Sequence, residues 1–406
     1  MLGFERRVAT RFLREGGMQT WLIIIGVAAG VAVVAYISAL ITGLQRNTIE
    51  KTLGAQAHIT LSPLDDAVLP AAAPASAGAS TLVQTQPRAQ RARSIGNWQL
   101  LLPLLEALPQ VSAVSPMVSA AGLAERGEAS RAIALMGVEL DRYDRIVRLR
   151  SKIVDGVARL GPGEGILGRE LADDLGVRVG DRVGIVTDGV SDSLRVTALV
   201  DFGVRDLNKR TVIVPLRAAQ SLAGLPGGAT SLDLRLNDIW AAKALASDLA
   251  ARWPYKVESW QQVNAQLVSA LNAQSVSTAV IRAVVMIVVV LGIASVLVVS
   301  VVQKQREIGI LRAMGATRGQ VLRIFLLQGA IVGALGSVVG VGLAAGLIWA
   351  FTYFVRGADG LALFDITLEA GLALQVAATA TLCGVLAAVA PARRAARLDP
   401  AQAIRL

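Results

Sequence analysis

The sequence predicts an integral membrane protein of four transmembrane α-helices, with a large extracytoplasmic mixed α+β domain between the first and the second. Three observations predict it. The 406-residue chain is 54% hydrophobic yet only 4% aromatic, an apolar excess that a soluble chain of this length would rarely carry. Four of its segments reach the roughly 20 predominantly apolar residues that cross a bilayer core. Nearly all of the formal net charge of +10 falls on the short segments that flank those runs, and almost none on the long stretch between the first two.

Residues 1–20 read as a basic amphipathic helix carrying Arg6, Arg7, Arg11 and Arg14 against Glu5 and Glu15. The first span, 21–43, is "WLIIIGVAAGVAVVAYISALITG" and holds no charge. It is too long for the apolar core of a signal peptide and no convincing small-residue cleavage site follows, so it reads as an anchor. The second span, 279–302, holds only Arg282, close enough to its end to snorkel. The third, 324–355, is longer than a bilayer requires and is expected to tilt or project. A short loop, 356–370, leads to the fourth span, 371–390, closed by Pro391, and a tail follows over 391–406.

Between the first two spans, residues 44–278 form the external domain. It opens with the alternating strand "AHITLSP" (57–63), followed by an Ala-, Pro-, Ser- and Gln-rich run over about 67–94 that reads as a flexible insertion. Then come a helix in "NWQLLLPLLEAL", a strand pair in "VSAVSPMVSAAGLAE" and "SRAIALMGVE", and a strand, helix, turn and strand in "GEGILGRELADDLGVRVGDRVGIVTD". Strands and helices continue to alternate through "LRVTALVDFG", "KRTVIVPLRAAQSL", "TSLDLRLND" and "IWAAKALASDLAARW", without the repeated βαβ pattern of a doubly wound sheet. "GPGEG" (161–165) lacks the following Gly-Lys-Ser/Thr of a phosphate loop and reads as a turn. Asp173, Asp174 and the acids near 188–192 read as solvated surface. From Trp260 a helix without Gly or Pro, with Val263, Leu267 and Leu271 on one face, runs with little break into the second span, and the first span extends likewise through "LQRNTIEKTLG". These are two stiff stalks.

Basic flanks orient the spans. Thirteen basic residues lie before the first span, between the second and third (Lys304, Arg306, Arg312, Arg318, Arg323) and after the fourth (Arg393, Arg394, Arg397, Arg405), against Glu5, Glu15, Glu307 and Asp399. The loop 356–370 has Arg356 against Asp359, Asp365 and Glu369. Positive-inside therefore places both termini and the 303–323 loop in the cytoplasm. The high positive charge is thus an orientation signal and calls for no nucleic-acid partner. A single Cys, Cys383, allows no disulfide within the chain, and the single His, His58, reads as an ordinary surface or strand residue. No catalytic, cofactor-binding or metal-binding residues can be assembled, and no span carries the charge network of an ion-coupled carrier.

The loop "VVQKQREIGILRAMGATRGQ" (301–320) carries the strongest functional signal. On a helix Ile308, Leu311 and Met314 or Gly315 share a face, with Lys304 and Arg306 at one end and Arg312 and Arg318 near the other. Gly315 is a helix stop and Thr317 an N-cap for the next helix. Physics leaves two roles open: docking to the membrane surface, or coupling, with the apolar face in a groove on a cytoplasmic partner and Arg306 and Glu307 in polar contact. In the third span Gly329, Gly333, Gly336 and Gly340 form one seam, and Gly26 and Gly30 form a second small-residue pair in the first span. Such seams serve packing within the chain or dimerisation.

One span, a large external domain, then three spans, with "QKQREIGILRAMGAT" after the second and "PARRAARLDPAQAIR" at the end, resembles the FtsX/MacB/lipoprotein-releasing superfamily of ABC-transporter permeases. "GILGRELADDLGVRVGDRVGIV", "TVIVPLRAAQSLAG" and "VESWQQVNAQLVSAL" look most like the lipoprotein-releasing branch, while the 67–94 run departs from it. The resemblance implies a MacB-like periplasmic domain in a bacterial inner-membrane protein. It implies that Lys304, Arg306, Glu307, Ile308, Leu311, Arg312, Met314 and Gly315 form a coupling helix on a dimeric cytoplasmic ATPase. ATP would be used through that partner, since no nucleotide-binding motif is present on this chain. It implies mechanotransmission: the stalks move the external head, and cargo such as a lipoprotein or another amphiphile is released from the outer leaflet. A second permease chain, identical or paralogous, and membrane lipid are implied partners, with a periplasmic carrier, adaptor or hydrolase beyond. The alternatives are a tripartite efflux permease, or a signalling permease that controls a cell-wall hydrolase.

Overall fold

The computed structural model describes residues 2–15, 17–64, 93–356 and 366–397. Nearly all of the 67–94 run, residues 357–365 of the short loop and residues 398–406 of the tail lie outside the described residues. The chain begins with α1 (Leu2–Glu15) and α2 (Gly17–Leu53), then β1 (Ile59–Ser62) and α3 (Trp98–Glu106). Next come β2 (Val111–Arg126), β3 (Ala129–Val138), α4 (Leu140–Val147), β4 (Ile153–Gly156), β5 (Glu164–Gly168), α5 (Arg169–Leu175), β6 (Arg182–Thr187) and β7 (Val190–Val200). After these follow α6 (Arg205–Arg210), β8 (Thr211–Pro215), α7 (Leu216–Leu222), β9 (Ser231–Leu236), α8 (Ala242–Arg252), β10 (Lys256–Ser259) and α9 (Trp260–Val263). Four more helices close the chain: α10 (Ala265–Gln303), α11 (Gln305–Ala313), α12 (Arg318–Phe354) and α13 (Ala370–Ala396). Two compact units result, Ile49–Val268 on the one hand and residues 1–48 with 269–406 on the other.

In the first unit the ten strands form one sheet in the order β10-β1-β9-β2-β3-β8-β5-β7-β4, with β6 bridging β2 and β7. Pairs β3/β8 and β5/β7 are parallel and the rest antiparallel, which makes the domain mixed α+β. Alternate residues supply opposite faces. Leu167, Val212 and Val214 join the larger core with Leu135, Leu232 and Trp260. Ile166 and Ile213 join a smaller core with Tyr143, Ile146 and Val200. The β6–β7 hairpin turns on Asp188 (φ 48°) and Gly189 (φ 82°), the left-handed pair that matches strand twist. Gly163 (φ 69°) shapes the "GPGEG" turn, where Glu164 accepts a hydrogen bond from the Gly161 N–H at 2.8 Å.

Sequence periodicity passes over α4, β4, α6 and β10. Each is eight residues or shorter, too few to show a period. His58 also needs correction as a surface candidate. It is 5% exposed, its Nδ1 accepts the Leu236 N–H at 3.0 Å, and burial followed by the nearby Arg235 charge lowers its pKa to about 4. It is a neutral structural residue of the β1–β9 junction.

In the second unit, α2, α10, α12 and α13 are the helices long and apolar enough to cross a membrane. The observed helices outrun the spans read from hydropathy: α2 has 37 residues and α10 has 39. Before α10 there is a break at Asn264 (φ −107°, ψ 42°), whose backbone N–H and side-chain amide both bond the Trp260 carbonyl at 2.9 Å. Pro391 does not close the fourth helix. α13 continues through it to Ala396, because Ala392, Ala395 and Ala396 are buried in one core cluster with Ile324 and Phe325 of α12, and that packing outweighs the one backbone bond Pro removes. The Arg282 guanidinium donates to Ser38 Oγ at 2.8 Å, and Ser38 is buried.

The glycines divide differently from the two seams in the sequence. Gly329 and Gly333 lie against Gly384, Ala388 and Thr381 of α13, whereas Gly336 and Gly340 lie against Val27, Ala28 and Val31 of α2. The 3- and 4-residue spacings spread over enough of the helix surface to meet two neighbours. Gly30 abuts Val289 of α10, and Gly26 has nothing within 4 Å of where its Cβ would stand. Among the described residues Gly26 therefore meets no neighbouring helix.

Candidate functional site at the joint of α10 and α11

α11 is a separate helix because both of its ends are specified locally. Lys304 (φ −100°, ψ 16°) interrupts the run from α10. At the other end Gly315 takes φ 101°, its N–H bonds the Arg312 carbonyl at 3.1 Å, and the Ala316 N–H bonds the Leu311 carbonyl at 3.1 Å, the paired bonds of a Schellman stop. Two residues later Thr317 opens α12 with a reciprocal capping box. Its Oγ1 accepts the Gln320 N–H at 3.3 Å, and Gln320 Oε1 accepts the Thr317 N–H at 2.8 Å. Glu307 in the first turn and Arg312 in the last suit the helix dipole.

The apolar face of α11 is turned inward. Ile308 is 1% exposed and packs with Ala9 and Phe12 of α1, Val301 of α10, and Val321, Ile324 and Phe325 of α12, with Leu311 at the margin of the same cluster. The face that the sequence leaves open to the membrane surface or to a partner is thus covered at Ile308 by the chain itself. α1 and the start of α12 supply complementary apolar surface within the chain, and burial there gains the hydrophobic stabilisation without a second protein. What remains outside is Met314, 81% exposed, with Ile310, Arg306 and Glu307.

Lys304 is enclosed as well. Its side chain is 11% exposed, and its ammonium lies 3.1 Å from Glu15 Oε2, 3.8 Å from Glu307 Oε2 and 4.4 Å from the centre of the Phe12 ring. Arg11 Nε holds the other Glu15 oxygen at 2.7 Å. The hydrogen bond from Arg11, then that from Lys304, depress the Glu15 pKa, so this carboxylate stays ionised. At the far end of α1 the buried Glu5 faces Arg323 of α12 at 3.5 Å. Two ion pairs and the Phe12–Phe325 contact, centroids 6.4 Å apart, thus fasten α1 across the starts of α11 and α12. Sequence reasoning missed Glu5, Phe12 and Glu15; the signal was their spacing in an amphipathic segment, but the partners lie some 290 to 320 residues away.

The external unit has its own cleft, about 1000 Å³, walled by α3 and α7, the 161–163 turn and Val190–Asp192 at the start of β7. Trp98, Leu160 and Leu216 line it with Glu139, Asp192 and Arg217. The Trp98 indole donates to the Gly227 carbonyl at 2.9 Å and Gln220 to the Gly228 carbonyl at 2.8 Å, so these two lining groups serve the fold.

Comparison with known proteins matches both halves of the chain. The family described as MacB-like periplasmic core domain matches residues 20–252, and the family described as FtsX-like permease C-terminal matches residues 279–400. The chain is similar to the lipoprotein-releasing system transmembrane protein LolC of Xylella fastidiosa, 27% identical and covering 94% of this chain and 92% of that one. It is also similar to the lipoprotein-releasing system transmembrane protein LolE of Haemophilus influenzae, 26% identical over the same shares of each. With the macrolide export ATP-binding/permease protein MacB of Neisseria gonorrhoeae it shares 33% identity, over 28% of this chain and 17% of that one.

Proposed function

The chain belongs to the family of FtsX-like permeases with a MacB-like periplasmic core domain, and from that premise we propose that it works by mechanotransmission, releasing lipidated protein from the membrane. The observation that carries the mechanical part is the length of two helices. α2 and α10 continue as unbroken helices of 37 and 39 residues well past spanning length, and α11 is attached to α10 by a single-residue joint. Similarity along 94% of the chain to two proteins named for lipoprotein release supports the cargo class; the similarity to a macrolide exporter is confined to 28% of it.

In this reading both termini and α11 face the cytoplasm and the β-sheet domain faces the periplasm. A separate dimeric ATPase engages the exposed Met314, Ile310, Arg306 and Glu307, and a second permease chain completes the complex. The exposed flanks of α10 and α12 are apolar (Val288, Leu291, Val338 and Leu343 are each about half exposed or more), which suits contact with lipid or another span better than a solute pore. ATP-driven closure moves α11, the stalks follow, and cargo leaves the outer leaflet without crossing a channel.

The test is a capture experiment in membranes with the cognate ATPase. A photo-crosslinker at Gln266, an exposed stalk residue beside Leu267, is expected to trap acylated proteins in the absence of ATP and to lose them when ATP is added. Capture of an adaptor or a hydrolase with no acylated protein would overturn the cargo assignment.

A further inference from the structure

Three helices meet at Lys304, and their connections differ in kind. α11 is joined covalently to α10 through Lys304 itself. α2 has no such join, and α11 reaches it by way of α1. That helix is held by the Lys304–Glu15 pair at 3.1 Å, by Lys304 over Phe12, and by Ile308 in the shared core. From α1 the path is short. Only one residue separates Glu15 from Gly17, and Thr20 of α2 donates to the Leu13 carbonyl of α1 at 2.8 Å. The Lys304 ammonium has two carboxylates and one ring around it and an 11% exposed side chain, an investment of buried charge that surface orientation alone does not require.

We propose that Lys304 is a positioning residue that clamps α1 to the coupling helix, so that displacement of α11 enters the first span through α1 while it enters the second span through the covalent joint. This rests on the permease reading above. The element that receives motion from the ATPase is then a composite of α1, α11 and the first turn of α12, and not α11 alone. Glu15 is the anionic half of the clamp, Arg11 orients it, and the Glu5–Arg323 pair holds the opposite end of α1 against α12.

The clamp predicts a selective failure. Hydrogen exchange would be measured on the full chain with its ATPase in lipid nanodiscs, with and without a non-hydrolysable ATP analogue, for wild type, Lys304→Met, Lys304→Arg, Glu15→Gln and the exchange Lys304→Glu/Glu15→Lys. Loss of the pair is expected to speed exchange of the α1 amides about tenfold, leaving α12 and the β-sheet unchanged. Nucleotide is expected to change protection in both stalk segments, 44–53 and 265–278, of wild type. In Lys304→Met and Glu15→Gln it is expected to change only 265–278. The reversed pair and Lys304→Arg should restore the response of 44–53. Unaltered α1 protection in Lys304→Met overturns the clamp. A loosened α1 with both stalks still responding overturns its part in transmission, and in either case mechanotransmission itself stands. A wild type whose stalks ignore nucleotide while the ATPase remains bound overturns mechanotransmission and the clamp's role together.

Discussion

Asp233 shows how much a single residue can hide inside a strand. In β9 its neighbours Leu232 and Leu234 enter the larger core, and the alternation that hides them turns Asp233 to the other face, where it is 6% exposed. Its carboxyl group accepts from Thr60 Oγ1 at 3.3 Å and Ser231 Oγ at 3.5 Å. Burial raises its pKa to about 7, partly offset by those hydrogen bonds. The folded state therefore keeps a proton that the unfolded chain releases near its usual carboxylate range. The stability this contributes is complete below that range and is lost as pH rises through about 7. His58 acts in the opposite sense, because its folded pKa of about 4 lies below the ordinary 6.5, so stability is lost as pH falls through that window. Asp233→Asn should consequently raise the unfolding temperature at pH 8 and change it much less at pH 5, by about 2–4 °C for each kcal/mol gained in a domain of this size. A scan of the two proteins at both pH values checks it; equal gains at the two would contradict the assignment to ionisation.

At the scale of elements, the glycines of α12 define what each helix pair tolerates. A Cβ on Gly336 would stand 2.6 Å from Val27 Cγ1, and one on Gly340 2.7 Å from the Ala28 carbonyl oxygen. Gly336→Leu or Gly340→Leu should separate α12 from α2 and cost about 1–3 kcal/mol or more, read as a lower unfolding temperature in detergent. Gly26→Leu, in a similar small-residue pattern on α2, should cost nothing in the isolated chain, since its Cβ would meet open space. A loss confined to the assembled complex would instead assign Gly26 to a contact between chains. The small-residue spacing was legible in the sequence; which neighbour each glycine meets was not, because spacing defines a face of one helix and says nothing of what lies opposite. The short elements α4, β4, α6 and β10 were illegible for a different reason. Their local signals are weak: β4 is held by register with β7, β10 by register with β1, and α4 by the smaller core.

For the whole molecule the informative contrast lies within one helix. Met314→Asp alters a side chain that is 81% exposed and should leave folding and membrane insertion intact while weakening association with the ATPase about tenfold or more. Glu307→Lys should act in the same direction and also disturb the Lys304 cluster, 3.8 Å away. Ile308→Asp buries a charge among Phe12, Val321 and Phe325. It should cost several kcal/mol and reduce the folded yield before any association can be measured. Co-purification of the ATPase alongside yield of the permease separates the two classes. If Met314→Asp bound and coupled the ATPase as well as wild type, the exposed edge of α11 would not be the contact surface.

What the sequence by itself determined is whatever rests on local chemistry and composition. Runs of about twenty apolar residues mark the helices long and apolar enough to cross a membrane. Gly315 and Thr317 end and restart a helix through bonds made within five residues. Alternation in "TSLDLRLND" marked a strand, and the fold covers both of its faces. What only the tertiary structure decided is which of two compatible surfaces an amphipathic segment uses. The apolar stripe of α11 suited the membrane surface and a partner's groove equally well in the sequence, and it is covered by neither. α1 and α12, brought to it from about 300 residues before and from just after, supply the apolar surface, and the same approach turns Lys304 from an exposed cation into the centre of an ion-pair cluster. Periodicity records that a face must be covered. The identity of the cover depends on contacts distant in sequence, and no local pattern carries those.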